Sequence, residues 1–325
     1  MFWTGELIAS RAPVRRRATP QETAATRATA AYLGLAIGDA LGATVEFMTP
    51  NEIRGRHGIH QDIIGGGWLR LKAGQVTDDT TMSLALGTSI LASGGVDAMA
   101  AARAFDAWMR AKPVDIGNTV RRNLITFRTS GNPHGTPSEH DAGNGAAMRV
   151  LPVALATYGQ PENLAKMANA AQAHVTHHNP LSDAACETLI LMVQALLAGG
   201  DADALESQLV ADLVRRFPVF AYDRKRCDNP SGYIVDTMQA VLQAFFATDN
   251  CEDCLIDAVN RGGDADTTGA IVGMLAGARY GLHAIPARWL RALDATIRQA
   301  CEAQAAALFA LAAGTPAVQG LTEVA

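Results

Sequence analysis

Between Thr29 and Val45 the chain is apolar and small-sided, with Ala30, Ala31, Leu33, Leu35, Ala36, Ile37, Ala40 and Leu41, and it sets Gly34, Gly38 and Gly42 four residues apart. On a helix these glycines share one face, and a face without side chains lets a second helix come to backbone contact. The run therefore requires a close helical partner. A membrane span carries the same small-residue ridge, but Asp39 sits mid-run, the stretch is barely long enough and no second span is visible, so a buried helix is the better reading.

The rest of the chain repeats the theme. Segments of helical length, rich in Ala and Leu, alternate with Gly, Pro and Asn: Thr81 to Ala92, Val96 to Met109, Asn118 to Phe127, Gln160 to His174, Ser182 to Ala198, Ala202 to Phe217, Ile234 to Phe246, Cys251 to Val259, Thr267 to Tyr280 and Pro286 to Leu311. Their apolar residues recur every three to four positions, and alternating strand patterns are nearly absent. Several are apolar on more than one side, which implies burial among other helices. The expected fold is all-α, a compact multi-helix single domain over 27–325, without a solenoid repeat.

Residues 1–26 stand apart, with Trp3, Arg11, the run Arg15 to Arg17 and no periodic apolar face. No apolar stretch follows the arginines, so a secretory signal is excluded, and the segment reads as a disordered N-terminal extension rather than a transit peptide. A net charge of -5 over 325 residues supplies no basic field for a nucleic-acid backbone. Five scattered cysteines fit a reducing cytosol and hence a cytoplasmic protein. Cys251 and Cys254 have zinc spacing but no second ligand pair, and read as partly buried thiols at a helix start.

Two segments share a design: Thr77-Asp78-Asp79-Thr80 and Gly263-Asp264-Ala265-Asp266-Thr267 each place two carboxylates and threonine hydroxyls at the entrance to an apolar helix. Helix capping explains one such residue at about 0.5–2 kcal/mol, not four. Gathered together, Asp78, Asp79, Asp264 and Asp266 would repel unless a cation neutralised them, and an all-oxygen donor set selects Mg²⁺ or Mn²⁺ over zinc. The repetition points to one paired-metal centre. Gly143 and Gly145 flank Asn144 before a further helix, a spacing that suits backbone amides turned toward an anion such as a pyrophosphate, or merely a turn.

These motifs, with Gly38-Asp39-Ala40-Leu41-Gly42, Gly143-Asn144-Gly145-Ala146-Ala147-Met148-Arg149 and His177-His178-Asn179, occur in the order of the ADP-ribosylglycohydrolases, and the chain resembles that family from about Ala28 to about Leu311. Gly65-Gly66-Gly67-Trp68-Leu69, Val114-Asp115-Ile116-Gly117, Tyr233-Ile234-Val235-Asp236-Thr237-Met238-Gln239 and Gly269-Ala270-Ile271 look like its nitrogenase-linked branch. The resemblance implies an all-α fold with a dinuclear Mg²⁺ or Mn²⁺ centre held by Thr77, Asp78, Asp79, Asp264, Asp266 and Thr267. It implies Asp115 as catalytic base and Glu46 as a mobile acidic residue over the metals. On composition alone, Glu46 is a solvated helix-end residue and Asp115 a cap of the following helix. Gly143, Asn144, Gly145, Ala146 and Met148 would bind the nucleotide, and His177 and Tyr233 would contact it by stacking or hydrogen bonding. Arg149 could pair with phosphate or with a structural carboxylate, and the second reading, an arginine fastening a buried loop, is preferred.

The implied reaction is hydrolysis of the N-glycosidic bond between ribose C1 of ADP-ribose and an arginine guanidinium on a protein, with dinitrogenase reductase as the substrate in that branch. Control would come from a PII signalling protein that holds the enzyme at an ammonium transporter, a reversible membrane association through a partner. Three alternatives stay open: a hydrolase of O-linked ADP-ribosyl-serine or O-acetyl-ADP-ribose, a non-catalytic ADP-ribose-binding relative, and a phosphohydrolase that cuts the pyrophosphate.

Overall fold

A computed structural model describes residues 22–223 and 225–314. Among the described residues there is no strand, only helices and two isolated backbone bridges. In chain order the helices are α1 (Ala24–Gly42), α2 (Pro50–His57), α3 (Asp78–Ser93), α4 (Ala98–Arg110), α5 (Asn118–Ser130), α6 (Leu151–Ala156), α7 (Glu162–Ala173) and α8 (Pro180–Leu197). There follow α9 (Ala202–Ala204), a π-helical stretch Leu205–Val210, α10 (Ala211–Arg216), α11 (Ile234–Ala247), α12 (Cys251–Val259), α13 (Ala265–Tyr280), α14 (Ala287–Ala292) and α15 (Ala295–Gly314).

The glycine face of α1 finds its partner in α13. A Cβ on Gly34 would lie 2.1 Å from the Gly273 carbonyl oxygen, one on Gly38 1.9 Å from that of Gly269, and one on Gly42 2.2 Å from that of Ala265. Gly277 meets Ala30 in the same way at 2.1 Å. Rising numbers on α1 match falling numbers on α13, so the two helices are antiparallel, and glycines recurring every four residues on both sides bring their backbones together. Around this pair α15, α3, α8, α11 and α12 close the core, burying Tyr32, Leu33, Leu35, Ile37 and Leu41 from α1 and Ile271, Met274 and Leu275 from α13.

The antiparallel register places the site. The end of α1 arrives beside the start of α13, and the turn after α1 is tied there by two backbone bonds, Phe47 N to Gly263 O at 2.7 Å and Gly263 N to Met48 O at 2.9 Å. Gly262 and Gly263 take positive φ of 70° and 63°, and a Cβ on Gly262 would meet the Met48 carbonyl at 2.0 Å. Only glycine fits both the conformation and the space.

Several expectations shift. Residues 22–26 belong to the fold, not to an extension: Thr23 caps α1 and Glu22 accepts hydrogen bonds from Leu282 N and His283 N. The remainder of the expected extension lies outside the described residues. The segment expected as one helix from Pro286 breaks at Leu293 and Asp294, where the Asp294 amide is drawn away to Gly74 O at 3.1 Å. The helix long and apolar enough to cross a membrane is α8, not the glycine run, and 61% of it is buried inside the protein, which marks it as a core helix. Cys251 and Cys254 open α12 and are both buried, Asn250 supplies the cap, and among the described residues neither joins a metal-holding cluster. Arg149 is fully buried, bonded to Gln172 and Thr176 with its guanidinium over the Phe105 ring, which is the structural role expected of it.

Candidate metal centre and substrate cavity

Thr77 occupies the N-cap of α3 and Asp264 that of α13, yet neither side chain caps its own helix. The cap of α3 comes from elsewhere. Asp39, buried in α1, accepts from Thr77 N (2.9 Å), Thr77 Oγ1 (3.0 Å), Thr80 N (3.1 Å) and Thr80 Oγ1 (2.5 Å), so its carboxylate satisfies the amides that helix geometry leaves unpaired. With capping delegated to Asp39, the loop residues turn to one another. Thr77 Oγ1 lies 3.1 Å from Asp79 Oδ2 and 3.4 Å from Asp266 Oδ2, and Thr267 Oγ1 lies 3.5 Å from Asp79 Oδ2. Asp264 accepts from Asn144 Nδ2 at 2.7 Å, and Asp78 from the Gly117 amide at 3.4 Å. Sequence reasoning quoted Asp39 within a motif but gave it no role; its signal was a charge inside an otherwise apolar helix.

Glu46 is buried and accepts from Trp68 Nε1 at 2.5 Å, which corrects the reading of a solvated helix end. Asp115 does not cap the next helix either: Gly117 holds that position, and the Asp115 carboxylate turns back to the Ile116 amide at 2.7 Å. Carboxylate oxygens of Glu46, Asp115 and Asp266 lie within 4.8 Å of one another. The two expected catalytic acids thus meet one of the expected metal ligands.

Burial without a countercharge shapes the electrostatics. Burial first, and then the neighbouring carboxylates, pushes Glu46 up to about 8 and Asp78 to about 7, and holds Asp79 and Asp266 well above the carboxylate range. Burial raises Asp39 to about 6 against the four bonds from Thr77 and Thr80, and raises Asp115. Asp79 Oδ1 is buried with no hydrogen-bond partner. An orphaned carboxylate oxygen in an all-oxygen cluster lacking Lys or Arg fits a hard divalent cation.

This fit has a pH signature. Between about pH 7.5, where the histidines of an unfolded chain are mostly neutral, and about 8, an unfolded chain has lost all these carboxylate protons while the folded metal-free protein still holds some. The folded state then binds more protons, so stability of the metal-free protein should fall as pH rises through that window. Melting curves in chelator and in Mn²⁺ check it. The chelated protein should lose melting temperature with pH, and the shift given by Mn²⁺ should grow; a flat or rising chelated curve would contradict the buried-acid reading.

A cavity of about 630 Å³ opens on the cluster, within the range of small-molecule sites. Glu46, Asp78, Asp115, Asp264, Asp266 and Thr267 line one part of it and Gly143, Asn144, Gly145, Met148 and His177 another, with Phe47, Trp68 and Ser231 also in its wall. Thr77 and Asp79 are buried and outside the lining. The Asn144 amide is spent on Gly232 O at 3.0 Å, whereas the Gly145 and Ala146 amides have no acceptor among the described residues. His177 is buried beneath the glycine loop, 2.8 Å from Thr176 Oγ1, and burial depresses it to about 3, so it is neutral. Two expected contacts move. The Ala146 side chain is fully buried behind the loop, and Tyr233, 40% exposed, bridges Gly143 through its backbone but does not line the cavity.

Comparison with known proteins places this architecture. The family model for ADP-ribosylglycohydrolase matches residues 20–317. An ADP-ribosyl-[dinitrogen reductase] glycohydrolase of Rhodospirillum rubrum is 52% identical over 88% of this chain and 96% of that protein. An ADP-ribosylarginine hydrolase Tri1 of Serratia proteamaculans is 34% identical over 83% of this chain and 76% of its own length. A solved structure described as an ADP-ribosylglycohydrolase-related protein complex superposes with a TM-score of 0.79 at 36% identity, covering 89% of this chain and 99% of the other.

Proposed function

Since the chain belongs to the ADP-ribosylglycohydrolase family, we propose that it hydrolyses the N-glycosidic bond between ribose C1 of ADP-ribose and an arginine guanidinium on a protein, with ADP-ribosylated dinitrogenase reductase as the protein. One observation carries the reaction class: buried carboxylates without a countercharge line the same cavity as a glycine loop whose Gly145 amide has no acceptor among the described residues. The choice of linkage and protein rests on the R. rubrum and Serratia relatives.

Two Mg²⁺ or Mn²⁺ ions, held by Thr77, Asp78, Asp79, Asp264, Asp266 and Thr267, would supply Lewis-acid polarisation of water and of the ribose hydroxyls. The chain's own residues do the rest. The Gly145 amide, in the cavity wall and without an acceptor among the described residues, receives the pyrophosphate, with neutral His177 supporting the loop from below. Asn144 holds Asp264 in place. Bond cleavage builds oxocarbenium character at ribose C1, which the surrounding carboxylates favour, and Asp115, half-buried and with a raised affinity for protons, accepts the proton from the attacking water. The C1–N electron pair leaves with the guanidine, which takes up the proton that Asp115 received from the water, so that the acid is regenerated as ADP-ribose and the free arginine guanidinium are formed. Reversible control by a PII signalling protein at an ammonium transporter, and a cytoplasmic setting, belong to the same proposal; binding of a PII protein to the purified chain tests the first.

Release of ADP-ribose from ADP-ribosyl-arginine, ADP-ribosyl-serine and O-acetyl-ADP-ribose, assayed side by side, tests the linkage; AMP as product would instead mark a phosphohydrolase. Asp115→Asn should lower kcat by roughly 10²–10⁴ while metal content and ADP-ribose affinity stay near wild type. Because Gly117 occupies the cap, the melting temperature should barely change. A wild-type kcat would move the base to Glu46, and Glu46→Gln would then show the loss.

A further inference from the structure

The cavity mouth carries a feature that none of the hydrolytic roles above requires. Phe47 is 64% exposed and Trp68 51% exposed, both line the cavity, and their rings pair at a centroid distance of 5.4 Å with planes inclined by 50°. Exposing two large aromatic rings side by side forgoes the burial that normally stabilises them. Phe47 adds a backbone cost. Its φ is 62°, in the left-handed region that a bulky residue rarely enters, and the bond from its amide to Gly263 O holds it there. The Trp68 indole is fixed in turn by its Nε1–H to Glu46. The chain thus accepts strain and exposure to hold two rings beside a cavity lined with acidic side chains.

We propose that Phe47 and Trp68 form the platform for the guanidinium of the modified arginine, setting the enzyme's preference for an arginine linkage. The inference rests on the N-glycosidic reading above. A guanidinium is planar, cationic and weakly hydrated, so it stacks on aromatic faces, and nearby carboxylates reinforce the attraction. Arginine is also the part of the substrate that must project from the cavity toward the protein bearing it. The rings stand next to Glu46, whose oxygens lie within 4.8 Å of those of Asp115 and Asp266, so a guanidinium stacked there brings the scissile bond to the acids. A serine or acetyl linkage offers no cation and gains nothing from the rings.

The test uses the full chain with Mn²⁺, ADP-ribosyl-agmatine as a small guanidinium substrate, and free ADP-ribose as a ligand lacking it. Phe47→Ala and Trp68→Ala should each raise KM for ADP-ribosyl-agmatine by roughly tenfold and weaken product inhibition by agmatine, with ADP-ribose affinity unchanged. Trp68→Phe separates two roles of the indole, since it keeps an aromatic face and loses the donor to Glu46: it should recover most of the KM. If Trp68→Phe is as impaired in KM as Trp68→Ala, Trp68 acts by holding Glu46 and the platform is overturned. Equal weakening of free ADP-ribose would also overturn it, by placing the rings on the nucleotide. If wild type cleaves ADP-ribosyl-agmatine and both alanine variants match it, the platform alone falls; if wild type leaves it intact, the arginine-linkage reading falls and takes the platform with it.

Discussion

Asp266→Asn is expected to abolish glycohydrolase activity and, in the same protein, to raise the melting temperature measured in chelator. Asp266 is buried, and burial together with Glu46, Asp79 and Asp264 opposes its ionisation. Asparagine keeps the side-chain shape and an acceptor for the Thr267 amide, 2.9 Å away, while removing an acid that burial and its acidic neighbours keep from ionising. Without metal, the fold must either hold that acid charged or keep it protonated above its ordinary range, and both cost stability, so its replacement stabilises. With metal, it is a ligand, so its loss weakens binding and shrinks the thermal shift that Mn²⁺ produces. Activity, metal content and melting curves with and without Mn²⁺ decide the matter. Retained activity at ordinary metal concentration would remove Asp266 from the ligand set, and a lower melting temperature in chelator would show that the carboxylate is stabilised by the protein alone.

Gly38→Ala is expected to destabilise the fold by about 3 kcal/mol or more, because overpacking of a tight core costs about that much when neither side can yield. The new Cβ would stand 1.9 Å from the Gly269 carbonyl oxygen and 2.3 Å from its carbon, so two central helices must separate. Helix propensity predicts the opposite sign, a gain of about 1 kcal/mol for alanine over glycine. Gly55→Ala in α2 is the control, since a Cβ there meets nothing within 4 Å and the residue is exposed; it should be neutral or slightly stabilising. Chemical denaturation of the pair measures the difference. Equal stabilities would mean that the α1–α13 approach is looser than the structure describes.

How much of this was legible in the sequence varies with the range of the interaction. Helices with one apolar face announced themselves, and α12 was placed to the residue. Two helices received no bounds, for opposite reasons: α2, which was missed, buries only Ile53 and so has no apolar stripe, and α6, expected only as a helix after the glycine loop, is buried on every side and so has no polar one. The sequence TPNE at 49–52 did hold a signal for α2, since Thr49 and Glu52 form a reciprocal capping box. In the site, the repeated Asp and Thr pattern was legible because each cluster is local, and the fold brings Thr77, Asp79, Asp266 and Thr267 together. The work of Asp39 was not visible, because it caps a helix that begins far along the chain. Nor was the nearness of Glu46 to Asp115, which only the packing of α1 on α13 and the loop before α5 creates.

That packing also fixes when the enzyme comes into being during synthesis. The ribosome delivers α1 long before the surface that must cover its bare glycine face, which lies between Ala265 and Tyr280. Until then Asp39 and Glu46 have no Asp264 or Asp266 opposite them, and no partial product can assemble the centre. Contacts this distant in sequence close slowly and leave apolar surface exposed meanwhile. The nascent chain therefore cannot assemble the centre, and leaves the glycine face of α1 without its partner, until Ala265–Tyr280 has been made.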